Sequence, residues 1–212
     1  MTGVILGMVG AGALIIRKWD AGLPLDRQRQ FYILAASVLE GNIIMLLTEG
    51  EPGYVRFLLS VIGGSLLLAS VTDILLCQVH NFIWWPALAA ALILLGSRCC
   101  RHCLYEAGAF SWDRLLSLVV YVLVQLVVFG RMYGRADSYA FCVCAVAEAA
   151  GGMDIMGMLV HMFLAYSILV PVQAWHRNID KKGNLIRPVP FLPYIAIAFW
   201  AVLFWGGWQI YG

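Results

Sequence analysis

Five acidic residues fall inside or at the edge of long apolar runs: Glu40, Asp73, Asp137, Glu148 and Asp154. A carboxylate in such a place is costly, so each is a candidate for chemistry or for ion movement. Two aspartates meeting at one depth could form a dyad. Brought to roughly 3 Å, like charges do not both ionise, and the pair shares one proton. The ionised member takes a proton from water while the protonated member donates to a carbonyl oxygen. That is general acid–base hydrolysis without a covalent intermediate. Asp73 closes the run Leu66-Leu67-Leu68-Ala69-Ser70-Val71-Thr72, and Asp137 follows Gly134-Arg135-Ala136 and opens the next run. These two are the candidate catalytic pair, and Gly134 lets backbone or substrate come close. The competing reading makes them solvated helix caps, for which Asp137 before Ser138 is well suited.

The elements that must position these acids are apolar helices. Of the 212 residues 62% are hydrophobic and 12% charged, with a mean hydropathy of +0.84. Ordinary soluble domains carry about 25% charged residues, and a soluble fold of this length could not hide so much apolar surface. Each helical span needs ~20 apolar residues. Such runs occur near 2–16, 31–48, 55–76, 82–97, 115–130, 139–152, 155–175 and 191–211. The expected fold is all-α: a polytopic transmembrane bundle of about eight segments (six to eight), one integral membrane domain over residues 1–212. The first run lacks a basic leader and a small-residue cleavage site, so it reads as a retained span. The sixth is short and carries Glu148, which suggests a tilted or half-penetrating helix paired with the seventh.

Short loops with excess Lys and Arg face the cytoplasm. With eight spans the odd-numbered loops hold ten basic residues and the even-numbered loops four. Odd loops are therefore expected inside and both termini outside. Asp73 and Asp137 then share the cytoplasmic face, Asp154 takes the opposite one, and Glu40 and Glu148 lie within spans.

Other chemistry is thin. The net charge of +2 is too small to call for nucleic acid. Cys100-Arg-His-Cys103 has C-x-x-C spacing without a second pair, and a structural zinc needs four ligands. The segment reads as a plain loop, and no metal or other cofactor is expected. Cys142 and Cys144 read as buried small hydrophobes. Trp84, Trp85, Trp205 and Trp208 near segment ends read as interface anchors, and His161 and Met162 as packing.

Three segments, in order, resemble the type IV prepilin peptidases. Asp73-Ile-Leu-Leu-Cys-Gln-Val-His-Asn81 resembles their first catalytic motif, an Asp followed seven residues on by Pro and then Asn or Asp. Gly134-Arg135-Ala136-Asp137 resembles the second, G-x-G-D. Arg187-Pro-Val-Pro-Phe-Leu-Pro-Tyr194 resembles the basic, proline-rich stretch that opens the last helix. The likeness covers about residues 55–211. His80 stands where Pro is usual, Ala136 replaces the second Gly, Tyr139 replaces a common Lys, and Leu192 replaces a Gly. Gly151-Gly152-Met153-Asp154 is a rival second motif, but it falls on the opposite face.

The resemblance implies Asp73 and Asp137 as catalytic residues, with Gly134, Ala136 and Asn81 supporting their motifs. It implies a minimal peptidase, because the loop from Arg17 to Gln30 holds no cysteine for the zinc-binding, methyltransferase module of larger relatives. The implied substrates are prepilin-like precursors with an apolar N-terminal helix, cut at the cytoplasmic face of the cell membrane. The proline-rich segment is expected near the site, without a chemical role. Three alternatives stand beside this: a presenilin-like or preflagellin-type protease, a transporter with Glu40 and Glu148 on a proton path, and a degenerate homologue serving assembly. The plainer reading of Glu40 and Glu148 is burial with a hydrogen-bonding partner.

Overall fold

The computed structural model describes residues 1–19, 27–105, 112–179 and 189–206. All regular structure among these residues is helical. The helices are α1 (Thr2–Trp19), α2 (Arg27–Leu47), α3 (Gly53–Leu76), α4 (Trp84–Tyr105), α5 (Trp112–Met132), α6 (Arg135–Ala150), α7 (Ile155–Ile179) and α8 (Leu192–Gly206). A 3-10 turn, Asn81–Ile83, leads into α4. Five helices (α2, α3, α4, α5 and α7) have the length and hydropathy to cross a membrane, while α1 over Thr2–Ile16 and α8 are shorter apolar helices. The all-helical expectation holds, but five helices of spanning length among the described residues are fewer than the eight segments expected. At ~1.5 Å per residue α6 and α8 are about 24 and 22 Å long, short of the roughly 30 Å hydrocarbon layer.

Two helices are buried and the rest wrap them. α3 packs on α1, α2, α4 and α8, and α6 packs on α4, α5, α7 and α8. α4 and α8 therefore join the two. α3 is apolar almost throughout, as a helix surrounded by protein must be. Its Gly63-Gly64 pair admits close neighbours: a Cβ on Gly64 would lie 2.9 Å from Met8 Cβ, and one on Gly63 would lie 3.0 Å from the Trp200 ring. Small residues at helix contacts serve this purpose in membrane bundles. α6 is likewise enclosed, with Phe141, Cys144 and Glu148 among its buried side chains. It is a central strut with no exposed face to tilt into lipid.

Outward surfaces stay apolar: Phe31, Leu116, Phe163 and Trp205 are exposed. Trp85 and Trp205 stand out from the bundle as interface anchors would, but Trp84 does not. It is buried against the apolar core because the 3-10 turn rotates it inward. The C-x-x-C segment is also not a loop, since α4 runs on to Tyr105. Cys99 and Cys100 are free thiols there. Arg187, Pro188 and Trp208 lie outside the described residues, as do the side chains of His102 and Cys103.

Candidate active site

Helix direction brings the two aspartates to one end of the bundle. α3 ends there, while α4, α6 and α8 begin there. Asp73 occupies the last turn of α3. Its carbonyl accepts the Cys77 N–H at 3.0 Å, and Cys77 ends the helix in the left-handed region at φ 50°. The Asp73 side chain turns to the start of α8, where Oδ2 accepts the Leu192 N–H at 3.1 Å. The Phe191 N–H lies close by as a second backbone donor. The first N–H groups of a helix have no partner of their own and draw negative charge. The apolar end of α8 thus becomes an anion seat. The proline-rich segment is near the site as expected, but through backbone amides, a contact that its side chains do not advertise.

Asp137 sits in the first turn of α6, at the rim of the bundle and outside the five spanning helices. Gly134 caps that helix at φ 132°, ψ 150°. L side chains rarely adopt this region, and a Cβ there would also lie 3.3 Å from Asp137 Oδ2. The glycine's role is therefore concrete: it turns the chain and leaves room for the carboxylate. Burial pushes the Asp137 carboxyl up to about 7, and the nearby charge of Asp73 adds to the rise. The two candidate acids are within electrostatic reach of each other, and both remain partly open to solvent. Ala136 is half-buried beside Asp137. Asn81 is exposed at the start of the 3-10 turn and lines a cavity of about 250 Å³ with Trp84, Trp85, Leu88 and Tyr139.

An aromatic floor closes the site from below. Tyr133 packs on Phe129 (5.4 Å between ring centres), Tyr166 (5.8 Å), Phe191 (6.0 Å) and Phe141 (6.1 Å). Tyr166 and Phe191 lie 5.0 Å apart. The charge of Asp137 reaches Tyr133 and Tyr166. Tyr133 donates its O–H to Gln125, which opens a π-turn, Gln125–Phe129, within α5. Such turns widen a helix by one residue and often mark functional sites. The turn carries α5 toward Tyr133 and leaves Gln125 buried as the tyrosine's acceptor. These residues escaped the sequence reading, because the widened turn has no sequence signature.

The other acids fall elsewhere. Asp154 caps α7, with Oδ1 accepting the Gly157 N–H at 3.1 Å, beyond the far end of α6 from Asp137. Glu40 Oε1 accepts the Trp200 indole N–H at 3.1 Å. Glu148 Oε1 lies 2.6 Å from His161 Nδ1, and both side chains are fully buried. His161 Nε2 lies 3.0 Å from the Ile195 carbonyl oxygen. A carbonyl only accepts, so Nε2 faces it with its hydrogen, and Nδ1 is left to face the Glu148 carboxyl. His161 is therefore not mere packing but a polar tie from α6 through α7 to α8. Among the described residues no group of three His, Cys, Asp or Glu could hold a metal ion.

No family model, curated protein or solved structure matches the chain.

Proposed function

We propose that this protein is a membrane-embedded aspartic endopeptidase, of the kind its motifs resemble, that removes the leader from prepilin-like precursors. The observation that carries the reading is the convergence of Asp73 and Asp137 at one end of the bundle, close enough for one charge to act on the other. Asp137, which keeps its proton to about 7, donates it to the scissile carbonyl oxygen. Asp73 takes a proton from the attacking water. The tetrahedral intermediate then collapses: the departing amine takes the proton held by Asp73, Asp137 regains its own, and a carboxyl and an amine product remain.

The topology fits such a substrate. In this reading the chain passes the membrane eight times, with α6 enclosed by protein, and the basic odd-numbered loops mark the cytoplasmic side. A precursor whose apolar helix lies in the bilayer presents its scissile bond at that interface, beside both aspartates. The aromatic floor keeps water from the bundle interior and strengthens electrostatic effects above it.

The test is co-expression of a prepilin with the wild type, Asp73→Asn or Asp137→Asn, scored by the mobility shift on leader removal. The reading expects processing by the wild type alone. Full processing by either variant would end the dyad assignment.

A further inference from the structure

A cleft of about 550 Å³ lies between α2, α3 and α8. Ile33, Leu67, Val71 and Ala196 make most of it apolar, and Leu39 and Ile197 on its lip are exposed on the outer surface. Glu40 interrupts the apolar lining. It is 8% exposed. Trp200 occupies Oε1, while Oε2 has no partner. A buried polar atom without a partner is costly. Glu40 lines the cleft while Oε2 itself is sealed against Gly63, so a ligand completes it by turning the carboxyl outward or parting the wall.

Position says which ligand. One end of the cleft is formed by Ile74 and Pro193, the chain neighbours of Asp73 and of Leu192, which are themselves bonded at 3.1 Å. The cleft is thus continuous with the dyad. Glu40 marks its depth: a Cβ on Gly63 would lie 3.3 Å from Oε2. Gly63 precedes Asp73 by ten residues along α3, or ~15 Å at helical rise. That lies well below headgroup level and excludes a lipid headgroup as the partner. Backbone in lipid must bond to itself, so an occupant that starts at the dyad and descends beside α3 is helical. A charged side chain is expensive at that depth. A hydroxyl or carboxamide both donates and accepts, and so it satisfies Oε2 whether Glu40 is protonated or ionised.

We propose that this cleft seats the apolar helix of the substrate itself, and that Glu40 reads one Ser, Thr, Asn or Gln side chain about ten residues past the scissile bond. The proposal rests on the endopeptidase reading and adds a specificity element to it. Trp200 positions the carboxyl, and the Gly63 surface lets it approach α3.

The experiment separates the two claims by reading occupancy and cleavage independently. The probe is a co-expressed single-span precursor with a basic leader and a Leu/Ala helix of ~20 residues, carrying Asn at position ten after the cut, with a Leu version as its pair. A benzoylphenylalanine photo-crosslinker replaces Val71 in the cleft or Val119 on the outer face of α5, in full-length protein with Asp73→Asn. The expected result is crosslinking from position 71 and not from 119, falling about fivefold for the Leu probe, a factor within reach of one interhelical hydrogen bond in a membrane. Glu40→Leu should remove the difference between probes, while Glu40→Gln, which keeps an acceptor for Trp200, should preserve it. Equal crosslinking at both positions, or indifference to the Asn, overturns the proposal. Crosslinking without cleavage by the otherwise wild-type chain keeps the cleft and sinks the peptidase. Cleavage that ignores both the Asn and Glu40→Leu does the reverse.

Discussion

Two pairs of ionisable groups in this bundle differ in where they sit, and the difference separates a site open at the rim from one sealed inside. Asp73 and Asp137 lie in terminal turns, are partly exposed, and meet a backbone amide and a glycine-made gap. Glu148 lies in the last turn of α6 and His161 in the second turn of α7, both fully buried and engaged with each other. Helix starts at an open rim offer unpaired N–H groups and access to water. A position sealed by neighbouring helices offers no water, so an acid there needs a dedicated partner. Yet the inner pair serves the outer one. It ties α6, whose first turn carries Asp137, through α7 to α8, whose first amide holds Asp73.

The largest expected effect tests the outer pair. Asp73→Asn or Asp137→Asn should lower leader cleavage by about 10²–10⁴-fold, the span of a lost general acid or base, with no loss of thermal stability in detergent. A variant that unfolds instead would show that the aspartates belong with the structural pair. Glu148→Ala should do the opposite. It strands His161 in the core, and a broken buried pair costs roughly 3–5 kcal/mol, readable as a large drop in the unfolding midpoint. Activity per folded molecule should survive far better than in the aspartate variants. Gly134→Ala should strain the left-handed turn by about 1–3 kcal/mol and crowd Asp137, so a loss of both stability and cleavage is expected. Unchanged cleavage would show that the turn serves folding alone.

The sequence was most legible where apolar length alone decides structure. The eight apolar runs coincide with eight helices among the described residues to within a few residues at most ends, because a long uninterrupted apolar run bounded by polar residues leaves little choice but a helix. Asp73 and Asp137 stood out because charges are scarce in such a chain, and helix direction brings them to one end. The rest depended on side-chain direction. Nothing in Phe191-Leu192 announces a backbone seat for Asp73. The Glu148–His161 tie joins residues on separate helices, and neither the π-turn at Gln125 nor the inward rotation of Trp84 follows from residue type. The C-x-x-C segment misled because cysteine spacing suggested a loop where the helix simply continues.

The smallest effect is the pH response, and it tests the comparison most finely. Asp137 keeps its proton up to about 7 in the folded protein, against an ordinary value of 3.8. Burial is the larger cause, and the charge of Asp73 adds to it. If Asp137 is the acid, cleavage should fall above pH ~7, reaching about tenfold per unit. Stability should move in the same direction for a separate reason. Between 3.8 and about 7 the folded state holds a proton that the unfolded chain has released. Stability therefore declines as pH rises through that window and levels off above it. Asp137→Asn removes this titration, so its unfolding midpoint should overtake that of the wild type at pH 8 and match it near pH 4. Unfolding midpoints of the two proteins across this range provide the measurement. Parallel curves would mean that Asp137 titrates as an ordinary surface acid, and the contrast between the two pairs would then rest on position alone.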